Sequence, residues 1–482
     1  MMPYLLYAAL AAILLLVAVV VFRAVAAKAS ARRLPPEQTK KPDERTRWYA
    51  DRLAKIIRCK TVSNREGHED AEFAKLRGEL ATLFPLLHQA AELTIFGEGC
   101  LIYRLPGKDS SRNIMVMSHH DVVAATGEWT HSPFEGEIAD DRLWGRGTVD
   151  TKTPFFAELS AAEELLAEGF VPACNLYLGS SHNEEIMGNG IPLALAYFKE
   201  HHISFELILD EGGAIIQQPM PGISNKCAML AVHEKGRHPL KCTASVDFGH
   251  FGLSPKGNTP IIRMAKFITE IDTKKPFIKR FYPEVQETFR QLCPYMSFGY
   301  RLIFANLWLF GPLLKTLLPK LSPQAGTMLG TVCYFTTIDG GKYNQVQSKT
   351  VEATAFLRCV DDKDLAQDIE SFKQVAAKYD IVVTDTADNE YHPPADMTKP
   401  AYGYLCDCVR EVFPHVAVAP FVLPAGSDAR HLVEICPCTI RFAPIDISPA
   451  QFASVHNPDE NIDLVAIEQA VRFYKKLMKD YR

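Results

Sequence analysis

Charge of either sign is missing from Met1 to Phe22, a run rich in Leu, Val and Ala, and an uncharged stretch of that length does not belong to a solvated surface. Long basic clusters are also missing, apart from Arg23, Lys28, Arg32 and Arg33 directly after that run. The formal net charge of -5 and a pI near 6.3 therefore exclude nucleic acid as a partner. Twelve cysteines among 482 residues fall short of the density of a disulfide scaffold, which leaves reduced, mostly buried thiols. No Cys-x-x-Cys pair occurs, since Cys406 and Cys408, like Cys436 and Cys438, stand too close for the usual structural zinc spacing. Internal repeats and low-complexity tracts are absent, which excludes a solenoid. With 47% hydrophobic residues, the chain supports two buried cores.

What is present is a set of metal-type side chains, His119, Asp150, Glu185, Asp210 and His456, each at the end of an apolar strand-like run or in a turn. Glu184 sits beside Glu185. The set reads as a two-metal hydrolase site. Ile114 to Ser118 is strand-compatible, and the period of two puts His119 and Asp121 on one face, so that His119 can bind metal while Asp121 orients its ring. Leu176 to Ser181 precedes Asn183, Glu184 and Glu185 in the same way, and Phe205 to Leu209 precedes Asp210. Three strand ends thus deliver ligands to one rim, where open α/β sheets bind theirs. Asp150 lies in the glycine-bearing turn Gly145-Arg146-Gly147-Thr148-Val149-Asp150. That turn leads into a helix marked by Pro154 near its start, Gly169 past its end, and Phe155, Leu159, Ala162 and Leu166 at helical spacing. A carboxylate in such a turn can give one oxygen to each of two cations.

The motifs Ser118-His119-His120-Asp121-Val122-Val123, Gly145-Arg146-Gly147 with Asp150, Glu184-Glu185, Asp210-Glu211-Gly212-Gly213, Gly426-Ser427-Asp428-Ala429-Arg430, and His456 ahead of Asp459-Glu460 occur in that order. Through them the chain resembles the M20 family of metallopeptidases and amidohydrolases, nearest to the branch of carboxypeptidase S and the N-acyl-amino-acid hydrolases. The resemblance implies one Zn2+ held by His119 and Asp210, a second held by Glu185 and His456, and Asp150 bridging both. Mn2+ or Co2+ suits the same donors. It also implies Glu184 as general base, Asp121 as the partner that fixes the His119 tautomer, and the Gly426 turn with Arg430 as the contact for a substrate carboxylate. Taken alone, Asp428 and Arg430 would read as a surface ion pair, and His120, His182, His201 and His202 as packed or surface residues. His250 and Asn344 would approach the oxyanion or the substrate. The family's Gly-His-Ser is here Gly249-His250-Phe251, Ala124 and Thr151 replace a usual Pro and Asp, and Asn344-Gln345-Val346-Gln347 ends without Pro. None of these departures removes a metal ligand; they bear on substrate more than on reaction type.

The implied activity is cleavage of an amide bond next to a free carboxylate, in N-acyl amino acids, long-chain ones included, or in short peptides. The alternatives are a dipeptidase or carboxypeptidase for polar peptides and an inactive binding scaffold; retention of every ligand and the base speaks against the scaffold. The expected fold is α/β, a zinc-exopeptidase-like catalytic domain with a mixed sheet flanked by helices (46–235 and 364–482). An inserted α+β lid or dimerisation domain (236–363) would interrupt it, and a homodimer through the lid is implied by resemblance only. Within the lid, Leu240, Cys242, Ala244 and Val246, and Val351, Ala353, Ala355 and Leu357, alternate with mostly polar residues as half-buried strands do, around a helix from about Pro260 to Ile271. Tyr300 to Leu321 is strongly apolar. Arg301, Lys315 and a helix break at Gly311-Pro312 keep it from reading as a membrane span, which leaves packing within or between lids, or an apolar channel or membrane-facing surface for a fatty-acyl chain. Residues 1–27 read as a single transmembrane anchor. The basic residues follow the apolar run and none precedes it, so the positive-inside rule puts the catalytic domain on the cytoplasmic side; small residues around Ala24 to Ala29 keep a cleaved signal as the alternative. Residues 28–45 form a charged spacer.

Overall fold

The computed structural model describes residues 2–65, 70–246, 259–341, 348–385 and 390–482. The strands in chain order are β1 (Glu92–Phe96), β2 (Cys100–Leu105), β3 (Asp109–His119), β4 (Glu137–Ala139), β5 (Arg142–Trp144), β6 (Cys174–Ser181), β7 (Leu207–Asp210), β8 (Ile215–Gln217) and β9 (Lys226–Glu234). They continue as β10 (His238–Ser245), β11 (Val332–Asp339), β12 (Thr350–Arg358), β13 (Ile381–Asp385), β14 (Ala417–Leu423), β15 (Thr439–Arg441), β16 (Asp446–Ile447) and β17 (Asn461–Asp463). A mixed ten-stranded sheet runs β1-β2-β6-β3-β7-β15-β9-β8-β16, with β14 paired to β9. Its centre is parallel: β3 pairs β6 with His119 opposite Ser181, and β3 pairs β7 with Val116 opposite Leu209. The last residues of these strands therefore share one rim. β6 and β7 are buried along their whole length, which is why they read as continuous apolar runs rather than alternating ones.

The helix Lys152–Ala167 covers this sheet, with Phe155, Leu159 and Ala162 buried and Gly169 at φ +76° beyond its end. The closing helix Leu464–Asp480 packs on it through Leu464, Ile467, Val471 and Tyr474, all buried. A small antiparallel sheet, β17-β5-β4, ties Asn461–Asp463 back to Arg142–Trp144, and so brings the His456 region to the Asp150 turn.

A second sheet, β11-β12-β10-β13, carries the helices Pro260–Lys274 and Asp362–Ala377 over a core of Leu240, Met264, Phe267, Val351, Ala355 and Phe372. β10 and β12 alternate as expected. β13 is hydrogen-bonded to β10, so this sheet takes in residues beyond 363. The sheet thus extends to Asp385, past the helix Asp362–Ala377.

Two expectations for the apolar insert are corrected. The chain breaks at Ala305-Asn306, between the helices Phe298–Phe304 and Leu307–Leu321, and the second helix continues through Pro312 and Pro319. Asn306 makes the break: its side-chain amide donates to Leu302 O (2.9 Å) and its carbonyl accepts from Leu309 and Phe310 N–H, opening a new helix. The insert also lies outside the lid sandwich. Phe304, Leu314 and Leu318 pack with Val285, Phe289 and Leu292 of the helix Pro283–Leu292 against Ala417, Ala419 and Val422 of β14. The N-terminal helix Met2–Ala29 is long and apolar enough to cross a membrane, a test that a signal sequence also passes.

Candidate metal centre

His119 ends β3 with its imidazole buried. Nδ1 lies 3.0 Å from the Asp121 carbonyl and 3.3 Å from Asp121 Oδ1, while Nε2 lies 3.2 Å from Asp150 Oδ1. His456 Nε2 lies 3.2 Å from the other Asp150 oxygen, Oδ2, and 3.2 Å from Glu185 Oε2. Asp150 thus turns one oxygen to each imidazole, and the ligand atoms of His119, Asp150 and Glu185 fall within 4.8 Å of one another.

Each arm is held by groups that lie outside it. Asp121 is fully buried and accepts from the Glu184 N–H (3.2 Å) through Oδ1, and from the Glu185 N–H (3.1 Å) and the Ser63 hydroxyl (2.5 Å) through Oδ2. One carboxylate therefore sets both the His119 ring and the Glu184-Glu185 backbone. The Asp150 turn closes on Glu460, whose buried carboxylate accepts from Arg146 (2.6 Å), Gly147 N (3.1 Å), Val149 N (2.7 Å) and Asp150 N (3.1 Å). Gly145 and Gly147 take φ +150° and +91°, and the Asp150–Thr151 peptide is cis. Sequence reading missed Ser63, the second duty of Asp121, and Glu460. Glu460 appeared only as a neighbour of His456, and its signal is an acidic residue opposite a turn rich in unpaired amides.

Asp210 ends β7 but is not part of the close group: its Oδ2 accepts from Ala429 N–H at 2.9 Å. The adjacent Glu211 is half-buried, and its charge interacts with those of Asp150, Asp210, His119 and Glu184. Burial, then mutual repulsion, pushes Glu184, Glu185 and Glu211 above the usual carboxylate range, and burial raises Asp210 and brings Asp428 to about 6. Asp150 is the exception. Burial opposes its charge, but the two imidazoles hold it below that range. In turn, hydrogen bonds that its Nε2 makes to the Asp150 and Glu185 carboxylates push His456 up to about 10. So much confined negative charge calls for cations, and Glu185 Oε1 is buried without a hydrogen-bond partner. Imidazole and carboxylate donors of this kind fit Zn2+, Mn2+ or Co2+.

The Gly426–Arg430 turn follows β14. Arg430 is buried, donates to Ser427 O at 3.2 Å, and keeps Nε unpartnered. A Cβ at Gly426 would stand 2.8 Å from its guanidinium, so glycine here leaves the Arg430 head its space. Glu234 and Asp428 supply its counter-charge, which makes the pair buried rather than superficial. His250 and Asn344 lie outside the described residues. His120 is packed between Phe73 and Phe155 with Nδ1 on Ser180, as its structural reading expects. Glu37, His415 and Asp446 form a second acidic group, but Lys226 already sits between Glu37 and Asp446 at 2.6 and 2.7 Å. All twelve cysteines are unpaired and all but Cys333 are buried.

Residues 115–480 match Peptidase family M20/M25/M40. The chain is 32% identical over 447 residues to probable carboxypeptidase S-like 2 of Dictyostelium discoideum, covering 89% of this chain and 84% of that protein. It is 28% identical over 384 residues to the N-fatty-acyl-amino acid synthase/hydrolase of Homo sapiens, covering 79% and 76%. Its fold is similar to that of an M20 family metallo-carboxypeptidase from Sulfolobus solfataricus, with a TM-score of 0.62, 17% identity, and coverage of 91% of this chain and 99% of that one. Human carnosine dipeptidase 1 gives a TM-score of 0.62 at 14% identity, covering 90% and 95%. The family match begins inside β3 and ends in the closing helix, so it takes in every strand end and turn described above except Ser63: the chain is a hydrolytic enzyme and belongs to peptidase family M20/M25/M40.

Proposed function

We propose that this enzyme is a di-metal amidohydrolase that cleaves the amide bond of N-acyl amino acids, long-chain ones included, next to a free carboxylate. The observation that carries this reading is the placement of Asp150 between two imidazoles with Glu184 and Glu185 on the same rim. His119 and Asp210 would hold one cation, Glu185 and His456 the other, and Asp150 both. A bound pair of cations supplies Lewis-acid polarisation of the scissile carbonyl and an acidified water. Glu184 takes the proton from the attacking water and passes it to the leaving amine. Asp121 keeps the His119 ring and the Glu184 backbone in register. Arg430 receives the substrate carboxylate with its guanidinium, whose planar fork of N–H groups matches a carboxylate.

Arg430→Ala is expected to raise KM for substrates with a free carboxylate by ~10–100-fold, since a hydrogen bond to a charged group contributes ~1.5–3 kcal/mol. An amidated analogue should be nearly unaffected, and equal loss on both substrates would remove Arg430 from the contact.

The similarity to a carboxypeptidase S-like protein supports a second reading, a peptidase for short polar peptides. The two separate when amine release is measured with added Zn2+ from a long-chain N-acyl amino acid and from a dipeptide side by side. Preference for the acylated substrate supports the first reading, and preference for the dipeptide supports the second. Inactivity on both would favour a binding scaffold. We further infer a single membrane span with the catalytic domain on its cytoplasmic side, a reading that the basic residues after the apolar helix and the unpaired cysteines support. A homodimer through the lid is supported by the exposed edge strand β11.

A further inference from the structure

The helix Leu307–Leu321 is apolar on the wrong side. Its inner face buries Gly311, Leu314 and Leu318. On a surface helix the opposite face is polar, but here it carries Trp308, Leu309, Pro312, Leu313, Leu317 and Leu321, interrupted only by Thr316 and Lys320. Trp308, Leu313 and Leu321 are 56%, 57% and 63% exposed. An exposed face that is mostly apolar in this way marks an interaction surface.

Its position points to the occupant. Asn306 Nδ2, at the break before this helix, donates to Val20 O at 3.1 Å, and Arg23 Nε donates to Ala305 O at 3.0 Å. The break is thus tied to the far end of the N-terminal helix. A span that begins at Tyr4 and rises ~1.5 Å per residue crosses a ~30 Å hydrocarbon layer near Ala24, so Val20 and Arg23 sit at the boundary of that layer. The helices on either side of the break meet the length and composition of a membrane segment only as a pair bent by 102°. That is the shape of an element lying at an interface rather than crossing it. Trp308 stands just after the break, where interfacial Trp concentrates, and Lys320 can extend its ammonium toward headgroups.

We propose that the Leu307–Leu321 helix lies in the interfacial layer of a lipid bilayer as a second, monotopic contact. The inference rests on the reading of Met2–Ala29 as a membrane span. With the span it fixes how the enzyme stands on the membrane, because the insert is packed on β14, the strand that runs into the Gly426–Arg430 turn.

The test uses the full chain reconstituted in phosphatidylcholine/phosphatidylserine vesicles, with and without bromine on the acyl chains. Brominated lipid is expected to quench tryptophan emission, and Trp308→Phe should abolish most of that quenching. Leu313→Glu with Leu317→Glu should also abolish it, with the chain still floating with the vesicles and keeping its thermal unfolding midpoint. Equal quenching in wild type and Trp308→Phe would overturn the proposal while leaving the span intact. Absence of quenching with Trp308 shielded from acrylamide would overturn it in favour of a second copy of the chain. A full chain that fails to float would overturn the span and this contact together.

Discussion

Glu184→Gln is expected to lower turnover by ~10²–10⁴-fold, the usual contribution of a general base, while metal content stays at the wild-type level. The substitution keeps the shape of the side chain, and the backbone N–H of residue 184 still donates to Asp121, so the rim should not move. Burial pushes the Glu184 carboxyl well above the usual carboxylate range, a shift that His119 opposes and that Asp428 and Glu185 increase. Glu185→Gln should behave differently. Glu185 meets His456 through Oε2 and leaves Oε1 buried and unpartnered, so the amide replaces a donor to cation with a poorer one and metal is lost with activity. Metal analysis by mass spectrometry alongside amine release separates the two variants. If Glu184→Gln sheds metal and Glu185→Gln keeps it, base and ligand have been assigned the wrong way round.

The strand ends were legible because the runs that lead to them are mostly apolar, Glu206 being the one charged residue within them. Ile114 to Ser118, Leu176 to Ser181 and Leu207 to Leu209 are buried on both faces, so composition marks them, and His119, His182 and Asp210 follow at the rim. The helix after Asp150 and the closing helix were legible from spacing. The groups that support the site were less so. Asp121 is two residues from His119 and was assigned to it, yet its grip on Glu184 and Glu185 depends on β3 and β6 being parallel neighbours, which is a matter of pairing and not of local pattern. Asn306 was missed for a related reason. Proline is the stronger breaker by propensity, but Pro312 is tolerated on the outer face while Asn306 competes for carbonyls on two helices. The place of β13 in the second sheet was hidden because it finds its partner β10 across more than a hundred residues of chain.

Glu460→Gln is expected to be the most damaging substitution outside the ligand set, costing ~3–5 kcal/mol of stability, as breaking one partner from a buried ion pair does. The carboxylate has four donors and no solvent. An amide in its place turns an NH2 group toward N–H donors on one side, so either the Val149 and Asp150 amides or Gly147 and the Arg146 guanidinium lose their acceptor, and a buried donor left unmade costs more than the bond contributed. The Asp150 turn would then loosen, and with it the one carboxylate that faces both imidazoles. Glu460→Gln should therefore lower the thermal unfolding midpoint and the metal content together. Arg146→Met provides the contrast, because it removes the ion pair but leaves Glu460 its three backbone amides; it should lower the midpoint yet retain metal. Equal metal retention in both variants would mean that the turn is held instead by its internal contacts, Thr148 Oγ1 to Gly145 O and Lys152 N to Gly147 O, and that Glu460 stabilises the fold without setting the site.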